Sequence, residues 1–193
     1  MITQTPPLPL DYCMLRCKFG TAIEIGTYYG GWTRYLANSF ENVVTFQTMQ
    51  QHRLNDFAWT QHDHAGVQRV WADRMREQLP VQYQGPYDFN FLVDNIKDMD
   101  NVTCLLTNSP PRMPWYLRYD RCVIDITRSP DENLRQYMFW RDYANQDGIL
   151  LIGIHCPADY DGWTITEEQF LSQITEPWHF VPDVIGRWIC VNL

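Results

Sequence analysis

No stretch of this 193-residue chain approaches the run of about 18 uncharged apolar residues that a bilayer crossing needs. The opening "MITQTPPLPLDYCMLRCKFG" also lacks a basic region followed by a long apolar segment. The expectation is a cytoplasmic protein without membrane association. Basic side chains are scarce, 15 Lys and Arg against 23 Asp and Glu, which leaves a formal net charge of -8. Such a field repels polyanions, so nucleic acid and anionic membranes are not expected as partners. A disulfide rhythm is missing as well. Cys13, Cys17, Cys104, Cys122, Cys156 and Cys190 are scattered, several inside apolar runs, and read as reduced core thiols. Cys13 and Cys17 form CxxxC, yet no second Cys/His pair follows at zinc-ribbon spacing, so no metal is expected there.

What the chain does have is core-forming material. Hydrophobic residues make up 45% and aromatics 15%, with eight Trp and eleven Tyr, which excludes a disordered chain. The length fits one domain, 1–193. Prolines between Pro6 and Pro9 make residues 1–20 an extended arm. A strand at Ala22 to Ile25 stops at Gly26. A helix follows from Gly31, with Trp32, Tyr35, Leu36 and Phe40 at helical spacing, and then the strand "NVVTFQT". Residues 50–86 are polar, with one helix over about Gly66 to Leu79, and read as an insertion or lid. Its aromatic residues suit a lid or the contact of a homo-oligomer equally.

Downstream, "YDFNFLVDNIKDMD" reads as an amphipathic helix and "NVTCLLTN" as a strand, followed by a proline-broken loop and the strand "RCVIDI". In "SPDENLRQYMFWRDYANQDG", Ser129 caps a helix, Pro130 suits its first turn, Glu132 completes a capping box and Gly148 marks the end. "GILLIGIHC" is the most apolar strand, and its near-continuous apolarity indicates burial on both faces of a parallel sheet. A helix around Ile165 to Ile174 precedes "WHFVP" and "RWICVNL", two short strands close enough to pair as a hairpin. The order β-α-β-α-β-α-β-α-β-α-β-β predicts an α/β fold: a Rossmann-like, doubly wound, mainly parallel sheet with an antiparallel C-terminal hairpin strand.

In such a sheet ligands bind at the carboxyl ends of the strands, and the turn after the first strand is the usual place. Here that turn is "EIGTYYGGWT". Gly26 permits a sharp bend, and Gly30 and Gly31 permit close approach to the main chain. The spacing GxxxGG is not the GxGxxG dinucleotide fingerprint, and by itself it fits a structural turn and a cofactor turn equally.

The run "AIEIGTYYGGWTRYLA" resembles the first motif of class I S-adenosylmethionine-dependent methyltransferases. It is most similar to the family-24 type, related to the cephalosporin-hydroxylase and macrocin O-methyltransferase groups, where V-E-I-G-T-x-x-G-G-S-T opens the domain. "YDFNFLVDNIKDMDNVTCLLTNSP" and "CVIDITRSPDENLRQYMFWRDYANQDGILLIGIH" are similar to later segments of that family. The resemblance implies S-adenosylmethionine as cofactor and methyl transfer to a hydroxyl or amine of a small molecule, such as a sugar or natural product. It implies that Glu24, Gly26, Thr27, Tyr28, Gly30 and Gly31 surround the methionine and ribose parts. Packing of the turn is the other reading for Tyr28.

Several positions depart from that pattern. Gln47 or Thr48 stands where relatives end the second strand with an acidic side chain for the ribose hydroxyls; a neutral acceptor such as Gln47 bonds them less strongly than a carboxylate. Thr107, Asn108 and Ser109 replace a Gly-Asp-Ser turn near the adenine, where Asn108 can keep one hydrogen bond. Asp125 is retained, while His155 and Cys156 replace His-Asp, so a two-carboxylate magnesium site is not evident. His62, Asp63 and His64 read as a polar loop. The expected chemical pair is His155 as base and Asp125 as its orienting group, with strand capping as the other reading of His155. Two further functions remain open: a methyltransferase-fold binding or assembly protein without catalysis, and a different S-adenosylmethionine-using enzyme such as a lyase.

Overall fold

The computed structural model describes residues 20–27, 30–47, 89–106, 117–124, 129–154, 164–181 and 188–193. Seven strands run through them: β1 Thr21–Ile25, β2 Asn42–Gln47, β3 Val102–Leu106, β4 Tyr119–Ile124, β5 Ala144–Gly153, β6 Trp178–Val181 and β7 Trp188–Asn192. The helices are α1 Gly31–Ala37, α2 Phe89–Ile96, α3 Pro130–Trp140 and α4 Glu167–Leu171. The expected lid at 50–86, with its helix, and the proline-rich arm fall outside the described residues, apart from Gly20.

All seven strands join one sheet in the order β3-β2-β1-β4-β5-β7-β6. β1 pairs in parallel with both β2 and β4, although β4 lies far along the chain. The strand order therefore reverses between β1 and β4, which sets the carboxyl ends of these two strands beside the crevice of an open α/β sheet. β7 is antiparallel to both of its neighbours, β5 and β6. The expected C-terminal hairpin is present, with β7 inserted between β5 and β6.

Strand alternation divides the core into two layers, because successive side chains leave a strand on opposite faces. Ala22, Val43, Val123, Leu151 and Cys190 pack under Trp32, Leu36 and Phe40 of the α1 region. Trp32 meets Trp188 there with ring centroids 6.0 Å apart. On the other face Ile23, Ile25, Phe46, Cys122, Ile124, Leu150 and Ile152 pack under Tyr137 and Trp140 of α3 and Phe170 of α4. Trp140 is fully buried, with its indole N–H donating to Gln136 Oε1 at 2.9 Å and its carbonyl accepting from the Tyr119 hydroxyl at 2.9 Å. Both polar ends of that aromatic pair are satisfied, which lets them occupy the core without an orphaned donor.

Two local expectations differ from the structure. Ser129 does cap α3, its hydroxyl accepting from Glu132 N–H at 3.2 Å. The Glu132 carboxylate turns instead to Arg135 at 2.7 Å and Gln136 at 2.6 Å along the helix, where the charged guanidinium outcompetes a backbone amide. Gly148 is not the helix end either. α3 stops at Trp140, a single 3-10 turn covers Arg141–Tyr143, and β5 starts at Ala144. Gly148 sits in an irregularity of β5, where pairing with β4 jumps from Tyr119↔Ala144 to Arg121↔Ile149. Asp147 takes a left-handed φ of 61° in that bulge.

Candidate functional site

The apolar run of β1 ends in a turn that only glycine forms easily. Gly26 has φ 100°, and its N–H continues the ladder to Phe46 O at 2.9 Å before the chain leaves the sheet. Gly30 has φ 79° and precedes α1 in the left-handed region; its N–H donates to Thr27 O at 2.8 Å and its carbonyl accepts from Arg34 N–H at 3.0 Å. A side chain at either position would strain the backbone. Gly26 and Gly30 therefore each put main chain without a Cβ at the carboxyl end of β1, beside the point where the strand order reverses.

Beneath the turn lies a buried polar group in an otherwise apolar strand. Glu24 is 1% exposed, and its Oε2 accepts from the Thr33 hydroxyl of α1 and from the Thr45 hydroxyl of β2 at 2.6 Å. Thr45 stands directly across from Glu24 in the strand register and also meets the Thr27 hydroxyl at 2.5 Å. Cys104, opposite Thr45 on β3, completes the row. Burial, with the Glu24 charge adding to it and Thr27 opposing, pushes the Cys104 thiol up to about 11, so the sulfur is a neutral thiol at pH 7.

Of the residues expected at the site, Glu24, Gly26, Thr27, Gly30 and Gly31 come together at the β1 to α1 junction. Glu24 faces inward to the threonines. The backbone of Gln47 ends β2, paired with Leu106 at the end of β3. Tyr28, Asn108, Ser109, Asp125 and His155 lie outside the described residues. Asp125 directly follows the last residue of β4 and His155 follows Ile154 just beyond β5, and those two strands are hydrogen-bonded neighbours. Thr33 and Thr45 were not singled out by the sequence. An acidic residue inside an apolar strand needs donors, and that requirement was the available signal.

The fit of a nucleoside cofactor can be judged from this geometry. Gly26 and Gly30 bring no Cβ to the turn, and the buried Glu24 carboxylate below it is engaged by two hydroxyl donors. These features fit S-adenosylmethionine.

No protein-family model matches the chain, and no curated protein sequence matches it either. Solved structures do. Precorrin-6y C5,15-methyltransferase from Geobacter metallireducens is 12% identical, with 100% of this chain and 92% of that chain covered at a TM-score of 0.56. The O-methyltransferase TomG from Streptomyces achromogenes, solved with S-adenosylmethionine, is 11% identical, with 95% and 78% covered at 0.53. An rRNA methylase from Streptococcus thermophilus is 12% identical, with 100% and 99% covered at 0.52. At these identities the likeness concerns architecture, and no helix of the described residues is long and apolar enough to cross a membrane. The chain has the Rossmann-like fold of class I S-adenosylmethionine-dependent methyltransferases.

Proposed function

We propose that the protein is an S-adenosylmethionine-dependent methyltransferase acting on a hydroxyl or amine of a small molecule. The observation that carries this reading is the β1 turn, with left-handed Gly26 and Gly30 at the switch point of a β3-β2-β1-β4-β5-β7-β6 sheet. Gly26, Thr27, Tyr28, Gly30 and Gly31 would hold the methionine and ribose parts, with Glu24 supporting them from below. Gln47 would meet the ribose, and Asn108 and Ser109 the adenine. When bound, the cofactor supplies an electrophilic methyl group to a substrate oxygen or nitrogen.

The chain's own task is then alignment and proton removal. His155 would take the proton from the attacking group, and Asp125 on the neighbouring strand end would orient His155 or the substrate. The order of motifs along the sequence supports a family-24-like relationship. The structural neighbours act on different substrates, rRNA among them, so they favour no substrate class. The net charge of -8 favours a small molecule over a polyanion.

Calorimetry tests the reading directly. S-adenosylmethionine and S-adenosylhomocysteine are expected to bind the wild-type chain, and absence of heat with both at about millimolar concentration would sink it. In Gly26→Ala the positive φ of 100° forces strain of about 1–3 kcal/mol, and a clear loss of affinity is expected beyond the fall in stability. Unchanged affinity would move the cofactor away from this turn. Binding without transfer of a labelled methyl to any hydroxylated or amine acceptor would point to a different reaction of the same cofactor.

A further inference from the structure

We propose that Thr45 of β2 is a positioning residue for the glycine turn, tying the turn to the buried Glu24 carboxylate. The inference rests on reading the turn as the cofactor site, and adds what holds it in shape. Counting hydrogens fixes the direction of the network. A threonine hydroxyl has one hydrogen to donate. Thr45 gives its hydrogen to Glu24 Oε2 at 2.6 Å, and Thr33 gives its own to the same oxygen. Thr45 has none left, so in the 2.5 Å contact with Thr27 the donor is Thr27.

The chain of donation therefore runs from Thr27 to Thr45 to Glu24. Each link polarises the next, and the carboxylate makes the Thr45 oxygen a stronger acceptor for Thr27. Thr27 is consequently held twice: its hydroxyl points down to Thr45, and its carbonyl accepts the Gly30 N–H at 2.8 Å. Thr27, the residue after Gly26 in the turn, is thereby fixed by a strand residue 18 positions further along the chain. All four side chains are nearly water-free, with Thr33 and Thr45 at 0% exposure and Thr27 at 2%. A turn pinned in this way has little left to order when a ligand arrives, which is how preorganisation raises affinity. Thr45 itself need not touch the ligand.

The test uses the full chain with Thr45→Val, which keeps shape and removes the hydroxyl, and Thr45→Ser, which restores the hydroxyl. By NMR hydrogen exchange the Gly30 amide in T45V is expected to exchange about ten-fold faster relative to the core amide of Leu150, with T45S close to wild type. Affinity for S-adenosylhomocysteine is expected to fall by about ten-fold in T45V and to recover in T45S. Unchanged Gly30 exchange overturns the proposal, as does equal acceleration at Leu150, which would mark a general loss of stability. Unchanged affinity in a T45V protein that binds overturns it too. A wild-type chain that binds neither S-adenosylmethionine nor S-adenosylhomocysteine defeats the methyltransferase reading, while Gly30 exchange still decides the role of Thr45. Should T45V fail to fold, Thr27→Val leaves both donors on Glu24 and carries the same exchange measurement.

Discussion

At the scale of single residues, two carboxylates, the buried Glu24 and the partly exposed Glu176, are held by hydroxyl groups from other parts of the chain. Glu24 has Thr33 and Thr45; Glu176 has the Tyr137 hydroxyl of α3, with Arg141 Nη1 at 3.8 Å. Burial works against ionisation of Glu176, but the Tyr137 hydroxyl, its own backbone amide, Thr175 and the Arg141 charge outweigh it and hold the carboxyl below its ordinary value of 4.5. A lowered folded value means that this contribution to stability is complete above pH 4.5 and is lost as pH falls through the lower folded value. In melting curves from pH 7 to 3, Glu176→Gln should narrow the gap to wild type below that point; an unchanged gap would refute the coupling. Glu24 was legible as part of the sequence motif, whereas its donors were not. Thr45 becomes its neighbour only through the β1 to β2 register, and a shift of one residue would turn that hydroxyl to the opposite layer.

Elements were legible where local chemistry decides them. The Ser129-Pro130 start of α3 needed no tertiary information, since the cap and the first-turn proline act within one turn. Ser129→Ala should lower stability by about 1 kcal/mol in denaturant titration, the usual effect of losing such a cap, and a change within error would show that the cap is redundant. The end of α3 was not legible. Gly148 marks a break in pattern, but the break belongs to β5, and placing it requires the strand's pairing with β4. A methyl at Gly148 would lie 2.8 Å from the Ala144 side chain and 3.0 Å from Asn145 O. The glycine there serves the packing of the bulge. α4 was expected longer than Glu167–Leu171, and its Thr166 and Gln169 form the reciprocal capping box that α3 lacks.

At the scale of the molecule, alternation of strands and helices was enough to predict a mainly parallel sheet, because apolar runs such as "ILLIG" demand cover on both faces. The order of the strands was not predictable from alternation. Placing β4 beside β1, and β7 between β5 and β6, depends on which faces the helices cover. The site inherits that distinction: the glycine turn was readable locally, while its foundation and its alignment with β4 are products of the assembled sheet. The adjacency of β1 and β4 also governs how the molecule is built. Ile25 pairs with Ile124, so the chain closes a very long loop to make that contact, whereas β1, α1 and β2, like β4, α3 and β5, are consecutive in sequence. Pulse-labelled hydrogen exchange during refolding should find amides bonded between β1 and β2 and between β4 and β5 protected before those bonded between β1 and β4, and simultaneous protection would contradict this order. The crevice between the ends of β1 and β4 would then be among the last features to form, so a ligand bound there would slow unfolding far more than it speeds folding.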